Sequence, residues 1–517
     1  MEFDLRKLLL VSLVSLIGAP IYAQSRLEIT NNEKLIGKNY LTNTDIIAKE
    51  IVFPKHIYHC YLDTILKCIT VQLRRQSESG KVHSNIRTLM VYDLEHKKRK
   101  WSKKINNPLA VIEQHRDLII QTIGKKSYSL NFENGETQWE VKSTIYYADP
   151  IYKIGIGYRI TDFNDKKNEL EGINLVNGKT VWKTKISRVY GLNNLFHLND
   201  SIIIIVASGL HSVNIKNGKG WDYNTITGEM HYTGGTGIGL SEFLMIPTLP
   251  ANKLVEGVVS NVIVDSTNLY FASKERIARL DHRGGLIWSS PLPVDLTSKS
   301  FIFIRDSIIY MINYGYAFMG YHTLHYGKPF IAAFDSNTGQ QIYFNTTNGK
   351  RDKINGFQIR RDKIFLVLKN RVAEYSLLDG SFITEKTFKI EPDGDMLDYI
   401  LGQAYVKTDS VYKSLALSDS TTHCIFTENN KVLVMNDQLE IIKQMDYSEL
   451  YICYLKEGNL RFLVNGNKTT VIDNENRVIA DIDVGIKTKL IGTKFYSLQG
   501  QSFIETDLSD LIKDEVP

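Results

Sequence analysis

The sequence predicts an all-β fold, a single β-propeller built from four-stranded antiparallel blades. Three observations lead to this prediction: a short phrase that returns along the chain, a constant distance inside each unit, and a spacing of about 40 residues between units. The segments that flank the phrase are short and rich in β-branched and aromatic residues, as strands require. Helical periodicity is scarce throughout.

The returning phrase is an apolar pair, then Asn or Asp, then Gly and, a few residues later, Trp. It is most complete from Gly172 to Trp182. In several copies Asn-Gly supplies residues that tolerate positive φ, which indicates a tight turn between two antiparallel strands. The ring of the Trp on the second strand then fills space between neighbouring sheets. The residues expected to hold this structural role are Trp101, Trp139, Trp182, Trp221, Trp288, Tyr343, Gly135, Gly178, Gly218 and Gly339.

A second, weaker pattern fixes the size of the unit. In this pattern a polar residue and an Asp or Asn form a turn before an apolar run. The Asp or Asn of this turn lies 14 residues before the Asn or Asp of the returning phrase, as from Asp117 to Asn131 and from Asp200 to Asn214. Fourteen residues hold two short strands and one turn, so the unit is a four-stranded sheet. The Asn, Asp or Ser markers of the phrase lie at positions 93, 131, 174, 214, 281, 335, 376, 436 and 473.

These markers, with a last strand pair around Lys494 to Asp507, favour eight blades, with seven or nine as alternatives. We expect one unit to be shared between N-terminal and C-terminal strands, because such sharing closes the ring and removes its free edges.

The segment Ile173-Asn174-Leu175-Val176-Asn177-Gly178-Lys179-Thr180-Val181-Trp182 resembles the repeat of the pyrroloquinoline-quinone-like (quinoprotein dehydrogenase-like) β-propeller superfamily, Leu-Asp-x-x-Thr-Gly-x-x-x-Trp. The resemblance covers nearly all of the chain after residue 23 and implies an eight-bladed propeller with Trp residues between blades. That superfamily contains both quinoprotein dehydrogenases and cofactor-free binding proteins. Fold alone does not decide between them.

The resemblance also implies what a cofactor-binding member would carry. Dehydrogenases of this type hold their quinone against a ring of two adjacent, disulfide-bonded cysteines and a calcium ion, and no two cysteines are adjacent here. We therefore expect the cofactor-free branch, with neither pyrroloquinoline quinone nor another cofactor. No catalytic motif is recognisable in the linear sequence.

The first 23 residues have the pattern of a secretory signal peptide. Arg6 and Lys7 precede an apolar run from Leu8 to Ile17, and Ala23 is a suitable cleavage position. An uncleaved anchor is the alternative, although the run is shorter than the roughly 20 residues that span a bilayer. The chain from 24 to 517 is expected to be the propeller domain of an exported protein, periplasmic or secreted. The full sequence has a charge of +5, from 62 basic and 57 acidic residues, and this small excess does not indicate nucleic-acid binding. We expect a monomer.

The four cysteines leave two interpretations open. In an oxidising compartment Cys60 could pair with Cys68 across a hairpin, and Cys424 with Cys453 across neighbouring strands. The other interpretation is that they are buried free thiols packed as small hydrophobic groups.

Departures from the repeat are the candidate functional segments. Insertions are predicted at about 222–257, which contains a glycine run, at about 313–327, where the distance from Asp306 to Asp335 is 29 residues instead of 14, and around 162–169. Because both repeated patterns are turns on one face of a propeller, the insertions are expected on the other face.

The insertion at 313–327 is dense in aromatic residues. Such side chains are suited to stacking on a sugar ring or to packing against a protein partner. The alternative is a hairpin folded onto its own sheet. The candidate binding surface comprises Tyr314, Tyr316, Phe318, Tyr321, His322, His325 and Tyr326, with Tyr223 and Tyr232 from the first insertion.

The leading functional hypothesis is therefore a non-catalytic extracytoplasmic propeller that binds an envelope protein or a glycan through its insertion-bearing face. The alternative is an enzyme, a sugar or alcohol dehydrogenase or a glycan lyase, with its site at the central channel. No metal site is expected, because the pairs His322/His325 and His56/His59 lack further ligands and the segment 393–398 lacks an EF-hand spacing.

Overall fold

The computed structural model describes residues 28–76, 82–105, 110–159, 169–186, 194–207, 209–224, 257–319, 322–349, 352–388, 398–399, 403–408, 411–415, 423–426, 431–436, 438–485 and 488–512. Within these ranges the chain forms 45 strands, a 3-10 helix at Tyr447–Glu449 and one α-helix, α1 (Ser509–Ile512). No helix there is long and apolar enough for a membrane span.

The first 18 strands comprise an N-terminal hairpin and four consecutive sheets of four strands. Each sheet is an antiparallel meander. The strands are β1 (Thr30–Asn39) and β2 (Thr44–Val52); β3 (His56–Asp63), β4 (Cys68–Gln76), β5 (Val82–Asp93) and β6 (Lys98–Ile105); β7 (Val111–His115), β8 (Leu118–Ile123), β9 (Lys126–Leu130) and β10 (Thr137–Val141); β11 (Thr144–Asp149), β12 (Ile154–Tyr158), β13 (Glu169–Asn174) and β14 (Thr180–Lys185); and β15 (Asn194–Asn199), β16 (Ile202–Val206), β17 (Gly209–Asn214) and β18 (Asp222–Asn224).

Three further four-stranded sheets follow, and the middle one carries an inserted two-stranded hairpin, β25–β26. The strands are β19 (Ile263–Val264), β20 (Asn268–Ala272), β21 (Arg276–Asp281) and β22 (Leu286–Pro291); β23 (Ser300–Arg305), β24 (Ile308–Asn313), β25 (Tyr316–Met319), β26 (His322–His325), β27 (Phe330–Asp335) and β28 (Gln341–Thr346); and β29 (Gly356–Arg360), β30 (Lys363–Val367), β31 (Arg371–Ser376) and β32 (Phe382–Thr387).

The last strands form one more four-stranded sheet, β33-β36-β37-β38, and an eleven-stranded sheet that includes β1 and β2. The strands are β33 (Asp398–Tyr399), β34 (Gln403–Thr408), β35 (Val411–Ser414), β36 (His423–Phe426), β37 (Lys431–Met435), β38 (Ile441–Asp446), β39 (Leu450–Glu457), β40 (Leu460–Asn465), β41 (Lys468–Ile472), β42 (Val478–Ile482), β43 (Thr488–Ile491), β44 (Lys494–Gln499) and β45 (Ser502–Asp507).

Hydrophobic clusters join each sheet to the next one along the chain. Trp101 of the sheet β3–β6 shares a cluster with Leu130 of the sheet β7–β10, and Trp139 of that sheet shares the next one with Ile173. The same succession continues through the remaining sheets. The final cluster joins Phe503 on β45 to Tyr92 on β5. The clusters therefore follow one another around the molecule and close it into a ring.

The predicted fold class is confirmed: the protein is an all-β propeller of four-stranded antiparallel sheets. Eight separate four-stranded sheets are present in the described ranges, and the eleven-stranded sheet holds the remaining units. The sequence pattern did not foresee that the terminal units are fused into one eleven-stranded sheet. In that sheet β2 pairs with β45 and β1 pairs with β42, so N-terminal and C-terminal strands close the ring together.

The repeated phrase locks neighbouring sheets together. In its fullest copy the side-chain Oδ1 of Asn174 accepts hydrogen bonds from the backbone N–H groups of Val176 and Asn177 at 2.9 and 3.2 Å, which shapes the turn. Trp182 then donates its Nε1–H to the carbonyl of Ile215 in the next sheet at 2.7 Å. Its ring lies against Gly218, where an added Cβ would come within 2.5 Å of the ring. Trp101, Trp139, Trp221, Trp288 and Tyr343 make equivalent hydrogen bonds.

Cys60, Cys68 and Cys453 are free thiols, and Cys424 belongs to a segment whose side chains lie outside the description. Cys60 packs on the face of its sheet that meets β44 and β45, whereas Cys68 packs on the face that meets the sheet β7–β10. Because the two sulfur atoms point to opposite faces, a Cys60–Cys68 bridge does not fit this register. Burial raises the pKa of the Cys60 thiol to about 12.

Candidate functional site

The inserted hairpin β25–β26 emerges from one particular end of its sheet. The turn from β23 to β24 and the repeated phrase after β27 lie at the end where Arg305, Ile308 and Asp335 face each other. The hairpin leaves at the opposite end, where Ser300, Asn313 and Phe330 are aligned. It therefore lies on the face away from the phrase turns.

The base of the hairpin is packed into the core. Ala317 and Tyr326 are 4% and 7% exposed and belong to the cluster between the sheets β19–β22 and β23–β28. The Tyr326 N–H bonds the carbonyl of Gly315 at 3.1 Å, and the Lys274 ammonium lies 5.1 Å from the centre of the Tyr326 ring. Burial raises the pKa of the Tyr326 phenol to about 12. Tyr326 is thus a core residue, and the predicted surface does not include its ring.

A continuous row of aromatic rings runs from this base onto the neighbouring sheet. Tyr314 and Tyr316 are stacked, with centroids 5.6 Å apart and planes within 20°. Tyr314 also meets Phe357 on β29 at 6.4 Å. Phe357 meets Phe301 at 5.4 Å, and Phe301 and Phe303 lead on to Tyr310. We call Phe301, Phe303, Tyr310, Tyr314, Tyr316 and Phe357 the aromatic row.

The aromatic row is partly exposed and has a cation at its end. All its members except the buried Tyr310 keep part of their surface in solvent. The Lys353 ammonium lies 5.2 Å from the centre of the Tyr316 ring, within cation–π distance. Burial raises the pKa of the Tyr316 phenol, so it is a neutral hydrogen-bond donor at physiological pH. Such a row offers apolar ring surface, phenol groups and one positive charge to a partner.

The other residues of the predicted surface do not all join this row. His325 is exposed and pairs with Tyr316 across the hairpin. Tyr223, by contrast, packs edge-on against Phe271 at 5.9 Å in the cluster that follows β18. Tyr232 and Tyr321 lie outside the described residues, as do the side chains of Phe318 and His322 and most of the insertions at 162–169 and 222–257.

Sequence reasoning missed the half of the row that the neighbouring sheet contributes. Phe357 and Lys353 come from the start of the sheet β29–β32, and Phe301 and Phe303 come from β23, outside the insertion. The alternation Phe301-x-Phe303 indicates two rings on one side of a strand. Nothing in the linear sequence, however, shows that this side faces Phe357.

A second polar group of interest lies on the first strands of two consecutive sheets, β11 and β15. Tyr147 on β11 hydrogen-bonds with the buried carboxylate of Asp149 at 3.0 Å and with Nε2 of His197 on β15 at 2.5 Å. Burial raises the pKa of Tyr147, as do the hydrogen bond and the charge of Asp149. Burial also lowers the pKa of His115, on β7, against an opposing effect of Asp149.

The described residues contain no group of three or more His, Cys, Asp or Glu side chains placed to hold a metal ion. His59 instead packs edge-on against Tyr61 at 4.5 Å, and burial lowers its pKa. The segment 393–397 lies outside the description.

Comparison with known proteins adds no functional information. No family model matches the chain, and no curated protein matches it. Three solved structures that resemble it are BamB from Moraxella catarrhalis (13% identity, TM-score 0.32, 77% of this chain and 96% of that one), the computationally designed Ika8 protein (10%, 0.32, 70% and 94%) and the quinohemoprotein alcohol dehydrogenase ADHIIG from Pseudomonas putida HK5 (11%, 0.32, 61% and 52%). Identities and TM-scores this low add nothing to what the chain's own sheets show about its fold.

Proposed function

We propose that the protein is a non-catalytic, exported β-propeller of the cofactor-free, quinoprotein-like kind, which binds an envelope protein or a glycan through its insertion-bearing face. The observation that carries the proposal is the aromatic row. Stacked, partly exposed rings at the base of an insertion form a binding platform that a purely structural hairpin does not need.

The row is ordered before any partner arrives. Tyr314 is held by its N–H to the Lys299 carbonyl at 2.8 Å and by its carbonyl, which accepts the N–H of Ile354 at 3.0 Å. Little backbone entropy is therefore lost at Tyr314 when a ligand covers the rings. Aromatic residues that are enclosed in this way are frequently binding hot spots, worth about 2 kcal/mol or more.

The test is binding by variants of the row. In Tyr316→Ala and Lys353→Gln, affinity for the partner or glycan captured by the unaltered protein should fall about tenfold or more for the first and less for the second. Tyr40→Ala, at the exposed β1–β2 turn, is the matched control. Binding that Tyr316→Ala leaves unchanged, in a protein that melts normally, would exclude the aromatic row as the binding surface.

The second candidate is an enzyme that acts on sugars or alcohols at the middle of the ring. The hydrogen-bonded group Tyr147, Asp149 and His197 favours it, because a phenol joined to an imidazole and a buried carboxylate can move a proton during catalysis. Turnover that disappears in His197→Ala, with partner binding intact, would favour this candidate over the binding protein.

A further inference from the structure

Five positively charged residues gather at one end of the sheet β3–β6. The end is defined by the aligned residues His56, Arg74, Arg87 and Ile105, and the phrase turn after Asp93 lies at the other end. This end belongs, like the base of the inserted hairpin, to the face away from the phrase turns. We call Lys55, Arg74, Arg75, Arg87 and Lys104 the cationic cluster.

The members of the cationic cluster are close enough to repel one another. The Lys55 ammonium donates to the Thr88 hydroxyl at 3.3 Å, and Thr88 pairs with Lys104 in the sheet. Burial lowers the pKa of Lys55, and so do the charges of Arg75 and Lys104. Burial also lowers the pKa of Arg87, again with a contribution from a cation, Arg74. Like charges that depress one another's pKa are held together by the fold at a cost in stability.

No described carboxylate forms an ion pair with Lys55, Arg74, Arg75 or Lys104. Elsewhere in the described chain, cations of the sheets commonly have such a partner, as Lys494 has Glu505 at 2.8 Å. A nearly buried cation normally requires one, because its removal from water is otherwise uncompensated.

Arg74 is the most deeply buried member of the cationic cluster. Only 7% of its surface is exposed, and its Nε has no hydrogen-bond partner among the described residues. Its guanidinium lies 3.1 Å from the centre of the Tyr58 ring, and that of Arg87 lies 5.7 Å from the same ring. Stacking on a ring uses the face of the guanidinium and leaves its N–H donors, which lie in the plane, directed at their surroundings. The buried Nδ1 of the neighbouring His56 also has no partner there.

We propose that the cationic cluster is a binding site for a tetrahedral oxyanion, the phosphate or sulfate group of a small ligand. The Arg74 guanidinium, stacked on the Tyr58 ring, presents N–H donors to such a group. Arg87 donates to the Ala110 carbonyl at 2.8 Å and adds its charge, as Lys55 and Lys104 do. The anion removes the mutual repulsion of the cations and satisfies the Arg74 donors. The site is on a different sheet from the aromatic row, so this inference does not rest on the proposed function.

The experiment measures the binding of sulfate, inorganic phosphate and glucose 6-phosphate to the full chain, by calorimetry and by the melting temperature, at an ionic strength fixed with sodium chloride. Arg74→Gln removes the central donor, and Arg75→Gln and Lys104→Gln remove exposed charges with little risk to folding. Arg99→Gln, an exposed change on β6 at the other end of the same sheet, is the matched control.

We expect the oxyanions to raise the melting temperature more than chloride does. The dissociation constant should rise about tenfold or more in Arg74→Gln, which corresponds to the loss of a charge-assisted hydrogen bond. It should rise less in Arg75→Gln and Lys104→Gln and stay unchanged in Arg99→Gln. Glucose 6-phosphate that binds more tightly than inorganic phosphate would identify an esterified ligand, and equal affinities would identify the free anion.

A separate readout distinguishes this site from a structural role of Arg74. Without added oxyanion, Arg74→Gln should melt at the same temperature as the unaltered protein or higher, because a repelled cation has been removed. The proposal would be overturned if oxyanions raised the melting temperature no more than chloride does. It would also be overturned if oxyanions raised the melting temperature of Arg74→Gln as much as that of the unaltered protein. Such a result would not contradict the proposed role of the aromatic row, because that role is tested with other variants and another ligand.

Discussion

At the scale of single residues, the glycine of the repeated phrase meets two requirements at once. Gly218 has φ +70°, and an added Cβ would lie 2.5 Å from the Trp182 ring. The positive φ shapes the turn, and the missing side chain lets the ring of the preceding sheet approach. One residue therefore determines both a local turn and the contact between two sheets.

These two requirements can be separated by a pair of variants. Gly466 also has a positive φ, +57°, but no atom lies within 4 Å of an added Cβ. We expect Gly466→Ala to lower the free energy of unfolding by about 1–2 kcal/mol, the backbone penalty alone. Gly218→Ala should lose about 1–3 kcal/mol more from the overpacked ring. Urea denaturation measures both, and equal losses would mean that the Trp182 contact adds nothing.

Acid stability should depend on Asp265, in the turn between β19 and β20. Burial alone would raise the pKa of this carboxyl, but hydrogen bonds from Thr267 and Asn268 lower it to about 2 from the ordinary 3.8. Because the folded-state pKa is the lower one, the carboxylate stabilises the protein above about pH 4, and this contribution is lost as the pH falls towards 2.

We therefore expect Asp265→Asn to melt at a lower temperature at pH 7 and to lose less stability between pH 4 and pH 2 than the unaltered protein. Asp200→Asn, an exposed change in the corresponding turn of the preceding sheet, is the control. Parallel pH profiles for Asp265→Asn and the unaltered protein would contradict the role of this carboxylate.

At the scale of elements, the inserted hairpin is both a part of the core and a part of the surface. Tyr326 and Ala317 anchor it between two sheets, while His325 stays exposed on its second strand. The anchoring fixes the position of Tyr314 and Tyr316 relative to Phe357 on the next sheet. The position of the aromatic row, which spans two sheets, therefore depends on buried residues that lie outside the row.

Removal of the anchor should loosen this hairpin before the rest of the ring. Tyr326→Ala should lower the free energy of unfolding by about 3–5 kcal/mol, as expected for a buried aromatic residue. Hydrogen exchange should accelerate in the described part of β25–β26 more than in the sheet β7–β10. Uniform acceleration across both would show that the hairpin is not a separate unit of stability.

The repeat explains why so much of the fold could be predicted and why part of it could not. The Asn-Gly turns and the Trp residues between sheets can be recognised from a short stretch of sequence. In the fifth unit the glycine four residues after the marker Asp281 is Gly285, as the spacing of the other copies requires, yet Gly284 has the positive φ and meets Trp221. Later units that lack the glycine use Leu439 and Asn476 at positive φ instead. The aromatic row and the cationic cluster depend on contacts between strands far apart in sequence, and no local pattern reports those.

At the scale of the whole molecule, the two ends of the chain close the ring. β2 pairs with β45, from the pair Lys49–Glu505 to the pair Val52–Ser502. Leu511 of α1 packs into the hydrophobic cluster that contains Ile504 of β45. Ring closure removes the free sheet edges that would otherwise pair with other molecules. Stability should therefore depend on the terminal strands as strongly as on internal ones.

Two buried isoleucines test this equivalence. Ile504 on β45 and Ile203 on β16 are both 0% exposed, the first in the closing cluster and the second in an internal one. Each change to Ala should lower the free energy of unfolding by about 2–5 kcal/mol. If Ile203→Ala lowered the free energy of unfolding and Ile504→Ala left it unchanged, the ring would not be closed by its terminal strands.

The central claim is that the face carrying the aromatic row binds a partner. The most direct measurement is photo-cross-linking in the producing cells, with the reactive side chain placed at exposed His325 or, as a control, at exposed Asn134 in a phrase turn on the opposite face. The account predicts a discrete protein or glycan adduct from position 325 that is absent from position 134 and disappears in Tyr316→Ala. The same adducts from both positions, or none from position 325, would contradict it.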